Sequence, residues 1–422
     1  MSKKVERMIS PKLRFSQFIE KKEILEIQLG LIGEFKNGIN FSPALKGSGI
    51  LTVDVYNMYG PGIETKLDSL YRVNIIAEES ILKKNDILFV RSSLKREGVG
   101  WATLFPGSVE PILFCGFLIR FRINSDHLVD PRYLTYFLRS DNGRKEITNA
   151  SGTGTITNIS QESLKKILAP VPVLLAEQQK IAACLSSLDN LIAAESEKLE
   201  VLKEHKKGLL QNLFPGEGES VPRVRFREFE ESGNWEKEGV GELFIFKQGI
   251  QIPIEEQALD KDENMVRFIR IIDITSTNEP LRYITNPGND YILNKMDLFM
   301  IRYGTPGVIS IGYEGVIANN LFRLIWKGNS KFVPKFWFYA FQRIEKYIYD
   351  LSSSSSMPAI SFSTMTALDI LFPSNNKEQE KIAETLSIID TILDNQVKKI
   401  EELKLHKKGL LQGLFPTITE EN

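Results

Sequence analysis

The sequence predicts an α/β (α+β) protein: two pseudo-repeated globular α/β segments joined by two long antiparallel coiled-coil helices. Three observations predict it. One stretch of the chain occurs twice, that stretch carries a heptad spacing, and a second set of matched landmarks extends the duplication across the globular parts.

The repeated stretch is Glu177 to Pro215, which returns at Glu378 to Pro416. The two copies align without a gap at an offset of 201, with 22 identities in 39 positions. An ungapped match of that length marks a duplication. Apolar residues fall at alternating steps of four and three, at Ile181, Leu185, Leu188, Ile192, Leu199, Leu202, Leu209 and Leu213. The second copy has Ile382, Leu386, Ile389, Leu393, Ile400, Leu403, Leu410 and Leu414 in the same frame. A 3.5-residue repeat held over four or more heptads is a coiled-coil seam rather than an ordinary surface stripe. Each helix is expected to run about 36 residues, roughly 54 Å at 1.5 Å per residue. Equivalent places in two halves related by a pseudo-two-fold lay the helices antiparallel.

Polar residues interrupt the seam at matching places, Glu195 with Gln396 and Lys206 with Lys407. Such positions cost stability but fix register, and Glu195 and Gln396 read as a register device. Asn375 is a good N-cap for the second helix, with Glu378 three residues on. The first copy has no such cap. Both helices end at Phe-Pro, at Pro215 and Pro416, where a helix cannot continue unstrained. Gly208 and Gly409 recur inside the pattern, each costing about 1 kcal/mol against Ala, and predict close backbone packing near the helix ends.

At an offset of 211 the globular parts match as well. Pro11-Lys-Leu-Arg-Phe15 pairs with Pro222-Arg-Val-Arg-Phe226, Phe35-Lys-Asn-Gly-Ile39 with Phe246-Lys-Gln-Gly-Ile250, and Asp86-Ile-Leu-Phe-Val-Arg91 with Asp297-Leu-Phe-Met-Ile-Arg302. Asp86–Arg91 and Asp297–Arg302 are short β-type runs, each followed by a loop in which Gly98 or Gly307 suits a tight turn. Pro131–Leu138 and Pro334–Phe341 predict helices with Pro in the first turn and an aromatic inner face. Small-residue loops, Ser151–Thr155 and Ser352–Ser356, precede Ile159-Ser160 and Ile360-Ser361; they suit either flexible links or backbone contacts to phosphate. The expected domains are 1–172, a helix over 173–215, a second globular domain over 216–373, and a helix over 374–422.

Composition excludes several classes. The hydrophobic share of 42% and charged share of 25% are those of an ordinary soluble chain of 422 residues. No run of eighteen apolar residues suggests a membrane span. The start, MSKKVERMISPKLRF, has no apolar core of a signal peptide, so the expected location is cytoplasmic. Cys115 and Cys184 have no CxxC partner and are expected as buried small hydrophobes. Residues 1–172 carry 24 basic against 18 acidic residues, a net of +6; residues 216–373 carry 17 against 21, a net of −4. There is no GxxxxGK[ST], GxGxxG, HExxH or GxSxG. Asn286-Pro287 is followed by Gly288 rather than by the Pro and aromatic of amino-methylating enzymes. His127, His205 and His406 are too scattered for a metal site. No catalysis is expected of this chain.

Two similar but divergent heads on a helical spacer suit a bipartite DNA target, whose half-site spacing follows protein geometry. A 54 Å helix corresponds to about 16 base pairs at 3.4 Å each, an upper estimate for the distance between heads. A non-DNA scaffold with two ligand-binding heads on a rod is the rival reading.

The alternation of divergent globular segments with EQxKIA and HKKGLLQxLFP helices, together with PKLRF/PRVRF and the DIL/DLF-to-Arg strands, resembles the specificity subunit of type I restriction–modification systems. The resemblance covers essentially the whole chain. It implies two target recognition domains, each reading half of an asymmetric, interrupted sequence in double-stranded DNA. It implies that the helices set spacing and dock two methyltransferase (modification) subunits, with restriction/translocase subunits joining them. S-adenosylmethionine, ATP and Mg then belong to those partners, with no cofactor on this chain; an orphan subunit supporting methylation alone is a further form. The family's base-reading residues do not carry over, so candidates rest on chemistry: Arg and Lys bond guanine, Asn and Gln bond adenine, and Ser or Thr reaches base or phosphate. The loop after each matched strand offers Arg91, Ser93, Lys95 and Arg96, and Arg302, Tyr303 and Thr305. The matched turn offers Lys36 and Asn37, and Lys247 and Gln248.

Overall fold

The computed structural model describes residues 10–20, 23–60, 62–125, 129–152, 154, 156–276, 279–328, 331–352 and 358–416. The chain divides into two compact units, one made of residues 1–198 and 397–422, the other of residues 199–396. Each unit therefore holds one globular part and one segment from each long helix.

In the first unit an antiparallel sheet runs in the order Gly33–Asn37, Leu118–Ile123, Ile87–Val90, Ala102–Leu104. A second sheet sets Lys46–Val53 between Tyr71–Val73, antiparallel, and Ile112–Phe114, parallel. Ile87–Val90 is buried throughout, which is why an unalternating apolar run forms a central strand. The Phe-Lys-Asn-Gly-Ile strand ends at Gly38, where a Cβ would stand 2.0 Å from the Cys115 carbonyl oxygen. Its partner Gly249 meets the Ala318 oxygen at 2.3 Å. The matched glycine thus answers a close backbone approach that no side chain permits.

The second unit repeats the plan. One antiparallel sheet runs Phe244–Gln248, Leu321–Trp326, Leu298–Ile301, Ile309–Ser310. The other runs Arg282–Thr285, Met265–Ile269, Gly315–Ile317, Ile292–Leu293, with its central pair parallel. Helices Pro131–Arg139 and Pro334–Asp350 both carry Pro in the first turn and bury the aromatic faces expected of them: Tyr133, Tyr136 and Phe137 in one, Phe336, Trp337, Tyr339 and Phe341 in the other. Asp130 caps the first of these through the Tyr133 N–H at 2.8 Å.

The long helices span Leu175–Asn212 and Asn376–Leu414. Their seam serves two ends. Ile181 and Leu185 join the first unit's core together with Leu410 and Leu414, while Ile382 and Leu386 join the second unit's core with Leu209 and Leu213. The heptad residues at the helix ends are therefore globular core, while Ile192 and Ile400, both buried, belong to neither core. In the first unit Lys407 pairs with Asp189, and Lys399 reaches Glu195 at 2.5 Å. In the second unit Lys206 pairs with Asp390 at 2.6 Å. Within each unit the two segments run antiparallel, and the lysines that interrupt the seam are satisfied by carboxylates. Gln396 is buried at its interruption.

Three expectations need correction. A Cβ at Gly208 or Gly409 would meet nothing within 4 Å, so neither marks close packing. That role falls to Gly413, whose Cβ would lie 2.4 Å from the Leu13 side chain. Asn375 does cap its helix, accepting from the Lys377 N–H at 3.0 Å, but Glu378 does not complete a capping box. Its carboxylate is bound by Arg225 at 2.8 Å to each oxygen, as Glu177 is bound by Arg14 at 2.7 and 2.8 Å. Cys115 is buried as expected, whereas Cys184 is only half-buried. His205 and His406 are exposed, and His127 lies outside the described residues, as do Thr153, Thr155 and Ser353–Ser356 of the small-residue loops. No described helix is long and apolar enough to cross a membrane.

Candidate nucleic-acid interface

Arg91 and Arg302 close their central strands at equivalent points. Each is held by its own backbone to the segment that precedes a one-turn helix: the Ile159 N–H donates to the Arg91 carbonyl at 3.0 Å, and the Ile360 N–H to the Arg302 carbonyl at 3.0 Å. The matched Ile-Ser pairs thus meet the matched Asp-to-Arg strands, a contact between motifs some 60 residues apart.

In the first unit this junction lies beside a cleft of about 530 Å³ lined by Asn37, Arg91, Asn158, Ser160, Gln161 and Ser163, among others. Asn37 is exposed at the end of its strand. Gln161 anchors it: with its amide turned so that both ends are satisfied, Gln161 donates to the Phe35 carbonyl at 3.0 Å and accepts from the Asn37 N–H at 3.1 Å. The Arg91 guanidinium makes one long bond, to the Gly116 carbonyl at 3.5 Å. Asn158 meets the Ser92 hydroxyl at 2.5 Å, on the short ladder that pairs Thr157–Asn158 with Ser92–Ser93. The lining is rich in carboxamides, hydroxyls and a guanidinium, the groups that read base edges.

Ser93 and Lys95 face a second cleft, of about 520 Å³, with Tyr59, Leu94 and Trp101. Lys95 and Arg96 are exposed. Below Trp101 sits Arg139, stacked on the indole at 4.0 Å and donating to the Gly62 carbonyl at 2.7 Å. Burial pulls the Arg139 guanidinium down to about 10, against the opposing pull of Asp189. Lys36 stands apart from both clefts, donating to the Glu79 carbonyl at 3.1 Å.

The second unit treats its equivalents differently. Gln248 stands where Asn37 does, but it is occupied: Nε2 donates to the Asn319 carbonyl at 2.6 Å and Oε1 accepts from Arg302 Nη1 at 2.8 Å. Arg302 also donates to the Ile360 carbonyl at 3.3 Å and lies over the rings of Phe362, at 4.6 Å, and Tyr303, at 5.0 Å. Phe362 holds the place of Gln161 and stacks on Phe246 at 5.8 Å. Lys247 is tied to the Asp290 carbonyl at 2.9 Å and lies over Tyr291 at 4.8 Å. Thr305 is exposed.

The structure therefore brings Asn37 and Arg91 together, and Gln248 and Arg302 together. It separates Ser93, Lys95 and Arg96 from the first pair. Sequence reasoning missed Asn158, Gln161 and Phe362. The Ile-Ser pairs stood next to all three, but nothing in the spacing told which strand they would meet. Among the described residues no group of three or more His, Cys, Asp or Glu could hold a metal ion.

The structure thus defines a duplicated α/β frame with a strand-end arginine at the equivalent junction of each copy. The model of the type I restriction modification DNA specificity domain matches this chain twice, over residues 27–204 and 232–405. The chain belongs to that family. It is 26% identical over 374 residues to a Methanocaldococcus jannaschii protein named as the MjaX specificity subunit of a type I restriction enzyme, covering 83% of this chain and 84% of that one. With the MjaVIII specificity subunit of the same organism it shares 25% over 364 residues, 81% of each chain. Among solved structures, the S subunit of the type I restriction–modification system from M. genitalium superposes with a TM-score of 0.61 at 17% identity, covering 97% of this chain and all of that one. A chain from a structure on complex assembly and conformational transition of the type I system superposes with a TM-score of 0.59 at 16% identity, covering 92% and 96%. At those identities the likeness is one of fold.

Proposed function

We propose that this chain is the DNA specificity subunit of a type I restriction–modification complex, reading one half of an asymmetric, interrupted DNA target with each of its two recognition domains. The observation that carries this reading is the double match to the DNA specificity domain, one copy to each half of the duplication. The chain itself is non-catalytic. On this reading residues 1–172 and 216–373 face DNA, and the helical segments 173–215 and 374–422 hold two methyltransferase subunits, with restriction subunits joining that core. S-adenosylmethionine, ATP and Mg are bound by those partners, and the complex works in the cytoplasm.

In the first domain the cleft residues Asn37 and Arg91 are the base-reading candidates, and Ser93, Lys95 and Arg96 lie apart from them, Ser93 and Lys95 at the second cleft. In the second domain the equivalent positions are Lys247, Gln248, Arg302, Tyr303 and Thr305; Gln248 and Arg302 are bonded to each other, which leaves Lys247, Tyr303 and Thr305 as the candidates for DNA there, and Lys36 completes the first set. The test is co-expression with the methyltransferase encoded beside this gene in an unmethylated host, followed by single-molecule mapping of N6-methyladenine. One interrupted motif with two unlike halves is expected. A well-formed complex that methylates nothing overturns the reading in favour of a scaffold.

A further inference from the structure

The two heads carry the same arginine at the same junction and surround it with opposite chemistry. In the first unit, Gln161 spends its side chain on the neighbouring strand, donating to the Phe35 carbonyl and accepting from Asn37. That leaves the Arg91 guanidinium with a single long bond, to Gly116 at 3.5 Å, in a cleft also lined by Asn37, Asn158, Ser160 and Glu162. In the second unit, the aromatic Phe362 replaces the amide. Its ring packs on Phe246 and Phe322 and covers the Arg302 guanidinium at 4.6 Å, while Gln248 and the Ile360 carbonyl take its N–H groups at 2.8 and 3.3 Å. A guanidinium reads guanine O6 and N7 only if two adjacent N–H donors are free and in plane. Arg91 keeps such a pair; in Arg302 one member of each adjacent pair, Nε and Nη1, is already bonded inside the protein.

We propose that residue 161 in the first unit and residue 362 in the second decide whether the loop arginine reads DNA: Arg91 contacts a purine edge, with guanine as its match, whereas Arg302 is a structural clasp that closes the end of its strand. The inference rests on the DNA-specificity reading above and adds that the two recognition domains do not use equivalent residues to read bases. The same exchange changes the partner of the strand-end amide: Asn37 Nδ2 lies 3.2 Å from the Gln161 amide oxygen, whereas Gln248 Oε1 accepts from Arg302. Phosphate is the other anion that Arg91 could meet, and it carries no sequence information.

The test uses the full chain in complex with its methyltransferase subunits and maps methylated sites for the wild type and for Arg91→Lys, Gln161→Phe and Arg302→Lys. Lysine keeps the charge and loses the fork. Arg91→Lys and Gln161→Phe are expected to lose about tenfold of discrimination at one base position of one half-site, the other half unchanged. Arg302→Lys is expected to leave every motif position intact while lowering the melting temperature of the chain. Retained discrimination in Arg91→Lys overturns the proposal, and so does a relaxed motif in Arg302→Lys. Uniformly weaker methylation at all sequences, with a shallower salt dependence, assigns Arg91 to phosphate and overturns it as well. Should Gln161→Phe fail to assemble, Arg91→Lys decides alone. A wild-type complex without an interrupted motif is a different result, because it removes the DNA-specificity reading itself.

Discussion

Arg14 and Arg225 hold the same place in the PKLRF and PRVRF motifs, and each grips a glutamate in the first turn of a long helix. Glu177 and Glu378 have side chains only 2% and 1% exposed, and their charge is shared by a bidentate guanidinium and the helix N-terminus, with Trp235 Nε1 also donating to Glu378 at 3.2 Å. Arg225→Met strands a buried carboxylate and is expected to cost about 3–5 kcal/mol in urea unfolding; adding Glu378→Leu should recover most of that loss. The motif was plain in the sequence, yet its partner was not, since Glu378 looked like half of a capping box. Cys115 gives a second check. Burial, aided by the nearby Asp54 carboxylate, pushes its thiol up to about 12. A folded-state pKa above the unfolded value of 9.0 favours the protonated native state. That contribution is complete below pH 9 and is lost as pH climbs toward 12. Stability should therefore fall above pH 9, less steeply in Cys115→Ala. A maleimide at pH 7.5 should label Cys184 in the native chain and Cys115 only after unfolding.

At the scale of elements, the junction between globular part and helix pair is built twice from the same three side chains. The Tyr136 hydroxyl donates to Asp189 at 2.7 Å, and Lys407 closes on the same carboxylate. Tyr339 donates to Asp390 at 2.7 Å, and Lys206 reaches that carboxylate at 2.6 Å. Burial raises both phenols above their ordinary range, so they remain protonated donors around neutral pH. Tyr339→Phe removes a hydrogen bond to a charged group and is expected to cost about 1.5–3 kcal/mol. A double-mutant cycle with Lys206→Met should show the two losses to be non-additive, since both act on Asp390. Additive losses would mean that the clasp is two independent contacts. Heptad reasoning marked both lysines as interruptions of the seam; it had no means of showing that the domain helix supplies the tyrosine.

For the whole molecule, strand arginines are paired internally in both halves, Arg122 with Asp86 and Arg323 with Asp297, so the basic residues open to DNA are those left exposed in loops. In the first unit Lys95 and Arg96 are exposed in the loop beside the cleft. If they meet phosphate, Lys95→Ala and Arg96→Ala should each reduce the slope of log affinity against log salt by about 0.9, with the methylated motif unchanged. A changed motif would instead make them base readers. Filter binding by the assembled complex across a salt series measures the slope directly.

The duplication, the two long helices, the matched strands with their terminal arginines and the Pro-led aromatic helices were all legible in the sequence. Each rests on local periodicity or on an ungapped internal match, and both survive folding unchanged. Tertiary structure alone decided what those elements meet. It sent the end heptads of each helix into globular cores, turned Glu378 from cap to ion pair, and moved the close-packed glycine from Gly409 to Gly413. It also made Gln161 and Phe362 the neighbours of Arg91 and Arg302. The physical reason is the same in each case: period and propensity depend on residues a few positions apart, whereas a buried carboxylate, a stacked ring or a free guanidinium depends on partners brought in from tens or hundreds of residues away.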